Sequence, residues 1–317
     1  MIVSASEPPR AQRLEIADEF AGQRLDNFLF RHLKGVPKSR VYRMLRTGEV
    51  RVNGGRAKAD VRLAGGDVLR IPPVRTAARD TEVVASPRLR EHLEARILFE
   101  DDHLLVLNKP VGLPVHGGTG QSAGVIESLR LLRPEARFLE LVHRLDRDTS
   151  GILLIAKKRC ALTTLHALFR GDGMDKRYLA LLSGAWARQR LLVDAPLEKN
   201  VRQGGERMVK VSRAGKSAQT EFRRLKRFNT ATLVEARPLT GRTHQIRVHA
   251  LHLGHPLAGD ERYGDENANR EFRRLGLRRL FLHAAELHFA HPASGEMLHL
   301  AAAPDPELET FLETLAP

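Results

Sequence analysis

Residues 143–158 read HRLDRDTSGILLIAKK. The apolar run after Gly151 is far shorter than the ~20 residues of a membrane span and has the length of a buried strand. A buried strand requires a sheet and a core around it. Two carboxylates and two arginines crowd its mouth, in what is then the loop entering the strand. Side chains on such a loop are held by a rigid scaffold, where chemistry is often placed. Asp148, just before Thr-Ser-Gly, reads as a turn residue that hydrogen-bonds its own backbone. Asp146 reads either as half of an ion pair with Arg144 or Arg147, or as a reactive group.

The rest of the chain offers the scaffold. From about Ile97 onward, strand-like runs (HLLVLNKP, GILLIAKK, RYLALLSG, ATLVEARPLTG) alternate with short helical ones such as CALTTLHALFR. This pattern predicts an α+β fold on an extended sheet, mixed or antiparallel. At 317 residues the chain is long enough for two domains. The expected division is a tail over 1–12, a small domain over 13–74, a linker over 75–95 and a large domain over 96–317. No internal repeat is evident.

Lys and Arg exceed Asp and Glu by 14. That excess favours a polyanionic partner, nucleic acid first and an anionic membrane surface second. No run is apolar enough for a span, and the N-terminus MIVSASEPPRAQ lacks the apolar core of a signal peptide. The single cysteine, Cys160, allows no intrachain disulfide, which fits a reducing cytoplasm.

The charge is concentrated. Between Arg24 and Pro73 stand twelve Lys/Arg and four Asp/Glu, a local +8. In RLDNFLFRHLKG, Leu25, Phe28, Leu29 and Leu33 recur at helical spacing, and Gly35 suits the end. In PKSRVYRMLRTG, Ser39 is a candidate N-cap and Gly48 the stop. Val41, Met44 and Leu45 share one side of this second helix, and Arg40, Arg43 and Arg46 the other. Asn53-Gly54 marks the turn of a small strand pair. A solvated helix face is the plain reading of such arginines. The one-signed excess within one small domain favours a surface for a polyanion instead.

Residues 24–73 resemble the alpha-L RNA-binding domain, chiefly through GVPKSRVYRMLRTGEVRVNG. That likeness implies that the arginine face, Arg40, Arg43 and Arg46, binds structured RNA. The large unit resembles the RluA-type pseudouridine synthases. The likeness rests on LVHRLDRDTSG, NKPVGLPVHGG, KRYLALLSG, PLTGRTHQIRVHALHLGHPLAGDERYG and LFLHAAELHF. It implies isomerisation of uridine in RNA with no cofactor and no metal. Asp146 would start the chemistry. Tyr178 would stack on the base, and Arg242 would pair with the catalytic aspartate. Leu282 would be an apolar pocket contact, and Arg144 would fill the gap left by the departing uridine. Within the family the likeness points to large-subunit ribosomal RNA, or the assembling large subunit, as partner. A monomer acting in the cytoplasm is expected.

Other functions fit less well. The histidines 244, 249, 252 and 255 suggest zinc at a glance, but no thiolates or HExxH accompany them. GLPVHGGTG lacks the Lys-Ser/Thr of a phosphate loop, which also counts against a nucleoside-cofactor methyltransferase. A non-catalytic RNA binder explains the charge but not the Asp146 loop. An RNA glycosidase would place two carboxylates about the scissile bond, and Asp148 is assigned to the turn.

Overall fold

The computed structural model describes residues 11–33, 35–74, 87–117, 124–203 and 206–316. The chain divides into two compact units, residues 1–84 and 85–317. The first holds strands β1 (Gln12–Glu15), β2 (Arg51–Val52), β3 (Gly55–Arg56) and β4 (Val68–Ile71) and helices α1 (Leu25–His32) and α2 (Lys38–Thr47). The strands form an antiparallel sheet in the order β1-β4-β2-β3. Asn53 and Gly54 both take positive φ, 50° and 79°, as a tight hairpin turn demands.

Phe28, Leu29, Val41 and Met44 bury against Leu63 and Leu69 to form this unit's core. The arginines of α2 fall on its other side. Arg43 and Arg46 are exposed, while Arg40 is half-buried and paired with Glu49 at 3.1 Å. The expected Ser39 cap is not used. The helix starts at Lys38, and the Pro37 carbonyl takes the Arg40 and Val41 N–H groups. Gly48 ends it at φ 74°.

The second unit opens with α3 (Pro87–Glu94), inside the stretch expected as a linker. Leu89 and Leu93 lie four residues apart, and Leu93 is fully buried beside Leu105 and Leu107. Two leucines among charged neighbours are therefore enough to dock a helix there. Residues 75–86 of the expected linker and 1–10 of the expected tail lie outside the described residues.

There follow β5 (Ile97–Glu100), β6 (Leu104–Lys109), α4 (Val125–Leu132), β7 (Glu140–Leu141), β8 (Ser150–Ala156), α5 (Arg159–Arg170) and β9 (Asp175–Ser183). Next come β10 (Arg190–Asp194), β11 (Leu197–Gln203), β12 (Glu206–Val211), β13 (Gln219–Arg227), β14 (Ala231–Pro238) and α6 (Gln245–His252). The chain closes with α7 (Glu266–Arg274), β15 (Leu282–Ala290), β16 (Met297–Ala301) and α8 (Pro306–Thr314). Ten strands form one mixed sheet, β10-β13-β14-β9-β15-β8-β6-β5, with β16 beside β15 and β7 beside β8; β11 and β12 form a separate hairpin. The fold is α+β on an extended sheet, as the alternating pattern predicts.

One junction sets the position of the site. β15 and β8 run parallel, paired as His283 with Ser150 and Ala284 with Gly151. The neighbours on either side of this seam are antiparallel. All seven residues of β8 are buried. Leu153 and Ile155 face Val125 and Leu129 of α4, while Ile152 and Leu154 face Phe138 and Leu165. On the far side of the seam, Ile246 and Ala250 of α6 cover Phe222, Val234 and Ala236. Among the described residues, no helix is long and apolar enough to cross a membrane.

Candidate active site

The loop from Val142 to Thr149 is held from several directions. Val142 plugs one core and Leu145 another, so Asp146 is turned away from both. His143 accepts the Leu154 N–H on Nε2 at 3.0 Å and stacks on Phe169 with ring centroids 4.8 Å apart. Burial, helped by nearby Lys176, pushes its pKa down to about 4, so this ring is a neutral prop.

Beneath the loop lies Lys109, the last residue of β6 and fully buried. Its ammonium donates to the carbonyls of Pro110, Leu113 and Arg147 at 2.8, 2.9 and 3.0 Å. Burial, then repulsion from Arg279, lowers its pKa to about 7. The Gly112 N–H adds a second bond to the Arg147 carbonyl at 2.9 Å. The loop's exit is equally fixed. The Ser150 hydroxyl accepts from Arg279 at 2.6 Å and donates to His283 Nδ1 at 2.9 Å, because His283 Nε2 donates to the Ala302 carbonyl. Gly151 takes φ 108°, and a Cβ there would collide with the Ala284 backbone on the adjacent strand. Glycine is the residue that this close approach allows.

The loop opens on a pocket of about 430 Å³, within the range of small-ligand sites. Among the described residues, Asp146 is the one carboxylate that lines it, against Arg144, Lys176, Lys199, Arg242 and Arg247. Tyr178 of β9 and Leu282 of β15 form apolar wall; burial, then the Asp146 charge, raises the Tyr178 pKa and keeps the phenol neutral. Arg144 is exposed at the rim. The structure thus brings Asp146, Tyr178, Leu282, Arg144 and Arg242 to one pocket. Arg40, Arg43 and Arg46 belong to the other unit.

Asp146 does not pair with Arg242. Its Oδ2 lies 3.3 Å from Nη1 of Arg247. Arg247 also grips Asp260 through two bonds of 2.7 Å. Burial works against the Arg247 charge, but Asp260 and then Asp146 more than offset it, so its pKa stands above the ordinary arginine value. Arg242 instead donates through Nε to the Ser217 carbonyl at 3.0 Å. The cause is local. Gln245 Oε1 accepts from the Thr240 hydroxyl and the Arg242 N–H, curling the loop so that Arg242 points to the rim. One turn later α6 aims Arg247 inward. An arginine set among Ile, Val and Ala in QIRVHA was the available signal, since a buried charge needs a partner.

Two further readings change. Asp148 is exposed, and its carboxylate meets Arg147 Nε at 4.0 Å. Its expected side-chain bond to the turn is not formed; the Thr149 N–H closes the turn on the Asp146 carbonyl at 3.2 Å. Asp146, for its part, pairs with neither Arg144 nor Arg147.

The four downstream histidines disperse. His244 faces the pocket, His249 is buried against Thr220 and the Ala195 carbonyl, and His255 binds the Ser183 carbonyl. A different trio, Asp101, His103 and His291, gathers ligand-type atoms. There His291 Nδ1 accepts the Ser294 N–H, so Nε2 carries the proton toward Asp101 at 2.9 Å, and the Lys158 ammonium lies 3.4 Å from His103. The glycine-rich loop is described as far as Gly117, and residues 118–123 lie outside the described residues.

A one-acid, basic pocket at the parallel seam of a mixed sheet, in a chain with a separate basic unit, suits an anionic substrate. The chain belongs to the RNA pseudouridylate synthase family: that family's model matches residues 103–252, and an S4 domain matches 23–69. It is 58% identical over 309 residues to ribosomal large subunit pseudouridine synthase C of Yersinia pestis, covering 97% of this chain and 96% of that one. The enzyme of that name from Escherichia coli K12 is 56% identical over 314 residues, with 98% of each chain covered. Among solved structures, human RNA pseudouridylate synthase domain containing 4 is similar at TM-score 0.60 and 30% identity, over 72% of this chain and 95% of that one. The protein is an isomerase of this family.

Proposed function

We propose that the chain converts uridines of large-subunit ribosomal RNA to pseudouridine, with Asp146 as the group that starts the reaction. The observation that carries this reading is that, among the described residues, one carboxylate faces a pocket into which five cationic side chains also project. In the reaction the N1–C1′ bond breaks, the uracil turns, and C5 bonds to C1′. C5 gives up a proton and N1 gains one. Substrate and product are isomers, so the balance requires no co-substrate.

The uridine must first leave its stack, at a cost of a few kcal/mol. Arg144 at the rim can occupy the vacated space, since a guanidinium stacks and hydrogen-bonds at once. Tyr178 and Leu282 then face the flipped base. Arg242 and Lys199, at the pocket's edge, suit the flanking phosphates. The basic unit adds affinity through Arg43 and Arg46, with Arg40 beside them. A monomer is the proposed working form. The enzyme acts in the cytoplasm on free or assembling large-subunit RNA.

The test uses in-vitro transcribed large-subunit RNA. The parent should form pseudouridine at unchanged RNA mass. Asp146→Asn, which keeps shape and loses charge, should form none while binding RNA within about twofold of the parent, a loss of catalysis without a loss of docking. Release of free uracil would indicate glycosidase chemistry. Substantial turnover by Asp146→Asn would remove the assigned role.

A further inference from the structure

The two oxygens of Asp146 are not equivalent. Oδ2 faces both Arg247 Nη1 at 3.3 Å and His244 Nε2 at 3.7 Å. Among the described residues, no protein donor meets Oδ1. His244 itself is held in an unusual way. It is the N-cap of α6, with φ 53°, a left-handed conformation that costs energy for a residue with a side chain. Its Nδ1 lies 2.7 Å from the Tyr263 hydroxyl.

The protons on that hydroxyl can be assigned. Tyr263 Oη accepts the Val209 N–H at 3.1 Å. Its own proton then has His244 Nδ1 as acceptor. A neutral imidazole carries one N–H, so Nε2 bears it and presents it to Asp146. The opposite tautomer would aim a lone pair at the carboxylate and leave the tyrosine proton without a partner. The tyrosine cannot rotate away, because Arg247 lies over its ring at 5.0 Å and its backbone N–H binds Asp260 at 3.0 Å. Burial, acting first, keeps the His244 pKa below its ordinary value; Arg247 and Arg262 also lower it, while Asp146 and Asp260 oppose.

We propose that His244 is a positioning residue. Its tautomer is set by Tyr263, and its Nε2–H, 3.7 Å from Oδ2 of Asp146 and so beyond hydrogen-bond length, adds a dipolar attraction to the Arg247 contact, so that Oδ1 is the oxygen presented to the uridine. The relay starts on β12, since Val209 pairs in register with Lys199, which lines the pocket. The carboxylate's orientation is thereby tied to the hairpin that carries Lys199. This assignment rests on the functional reading above.

The experiment compares His244→Ala, His244→Gln, Tyr263→Phe and the Gln/Phe double variant with the parent, by single-turnover kinetics on the same RNA. His244→Ala should lose ~10–100-fold in kcat, the scale on which orienting neighbours act, with KM within about twofold. His244→Gln places an amide N–H near the Nε2 position and should recover most of that loss. Tyr263→Phe should slow the parent but add little in the Gln background, because Gln needs no tautomer set for it. Equal kcat for parent and His244→Ala overturns the assignment. So does a Gln variant as slow as the Ala variant, or a Tyr263→Phe cost that is the same in both backgrounds; either would mean that the pair acts by packing. A parent that forms no pseudouridine removes the functional reading, and this assignment with it.

Discussion

Arginines serve opposite ends in the two units. On α2, Arg43 and Arg46 stand in solvent. In the pocket, Arg247 is buried, doubly bonded to Asp260 and in reach of Asp146. An exposed arginine contributes through long-range attraction that salt screens, and each acts nearly alone. A buried one is bound into a geometry, and removing it strands the charge it neutralised. Counting charge by segment finds the first kind. It is blind to the second, because Arg247 and Asp260 cancel in any sum.

Breaking the buried pair should therefore have the largest effect. Arg247→Met leaves Asp260 buried without its cation and deprives Asp146 of its arginine partner. Chemical denaturation should show a loss of ~3–5 kcal/mol, and single-turnover rates should fall by more than about 100-fold, as for a lost transition-state contact. Stability close to the parent's would mean that the two kinds of arginine differ less than their surroundings suggest. Next comes the loop's exit. Gly151→Ala adds a methyl against the Ala284 backbone at φ 108°, and should cost ~1–3 kcal/mol in a thermal or urea melt, with slower turnover. An unchanged melt would show that the seam can widen.

The exposed pair should behave differently. Arg43→Ala with Arg46→Ala should lower the slope of log affinity against log salt by about 2, one per lost phosphate contact, and leave kcat alone. An unchanged slope would take these two residues off the RNA. The smallest effect is expected from Asp148→Asn. Its carboxylate is exposed, with Arg147 at 4.0 Å, so stability should stay within about 0.5 kcal/mol and turnover within about twofold. Inactivity equal to that of Asp146→Asn would turn the site into a paired-carboxylate one.

Much of this arrangement is legible in one dimension. β8 is visible because seven buried residues in a row leave little else to be, and the charged loop is visible because it interrupts that pattern. Family likeness adds the role proposed for Asp146. GRTHQIR defeats the same reasoning: spacing cannot say which of two arginines five residues apart a helix start will turn inward, and Gln245 makes that decision through bonds to Thr240 and the Arg242 N–H and through one to the distant Gln219 carbonyl. α3 is hidden because two leucines carry its docking. Lys109 is hidden for a different reason. Lysines are seldom buried, and the three carbonyls that satisfy this one come from two separate loops.

The parallel seam has a consequence for when the enzyme can first work. Ser150, at the exit of the Asp146 loop, is braced by Arg279 and His283, which follow it by 129 and 133 residues. The strand that carries His283 and supplies Leu282 to the pocket begins only at Leu282. Synthesis runs from the N-terminus, so the basic unit and the Asp146 loop emerge long before the brace does. A nascent chain can thus gain an RNA-binding surface while its reactive carboxylate still has no fixed direction. The fixed direction of the Asp146 loop therefore waits for residues 279–283.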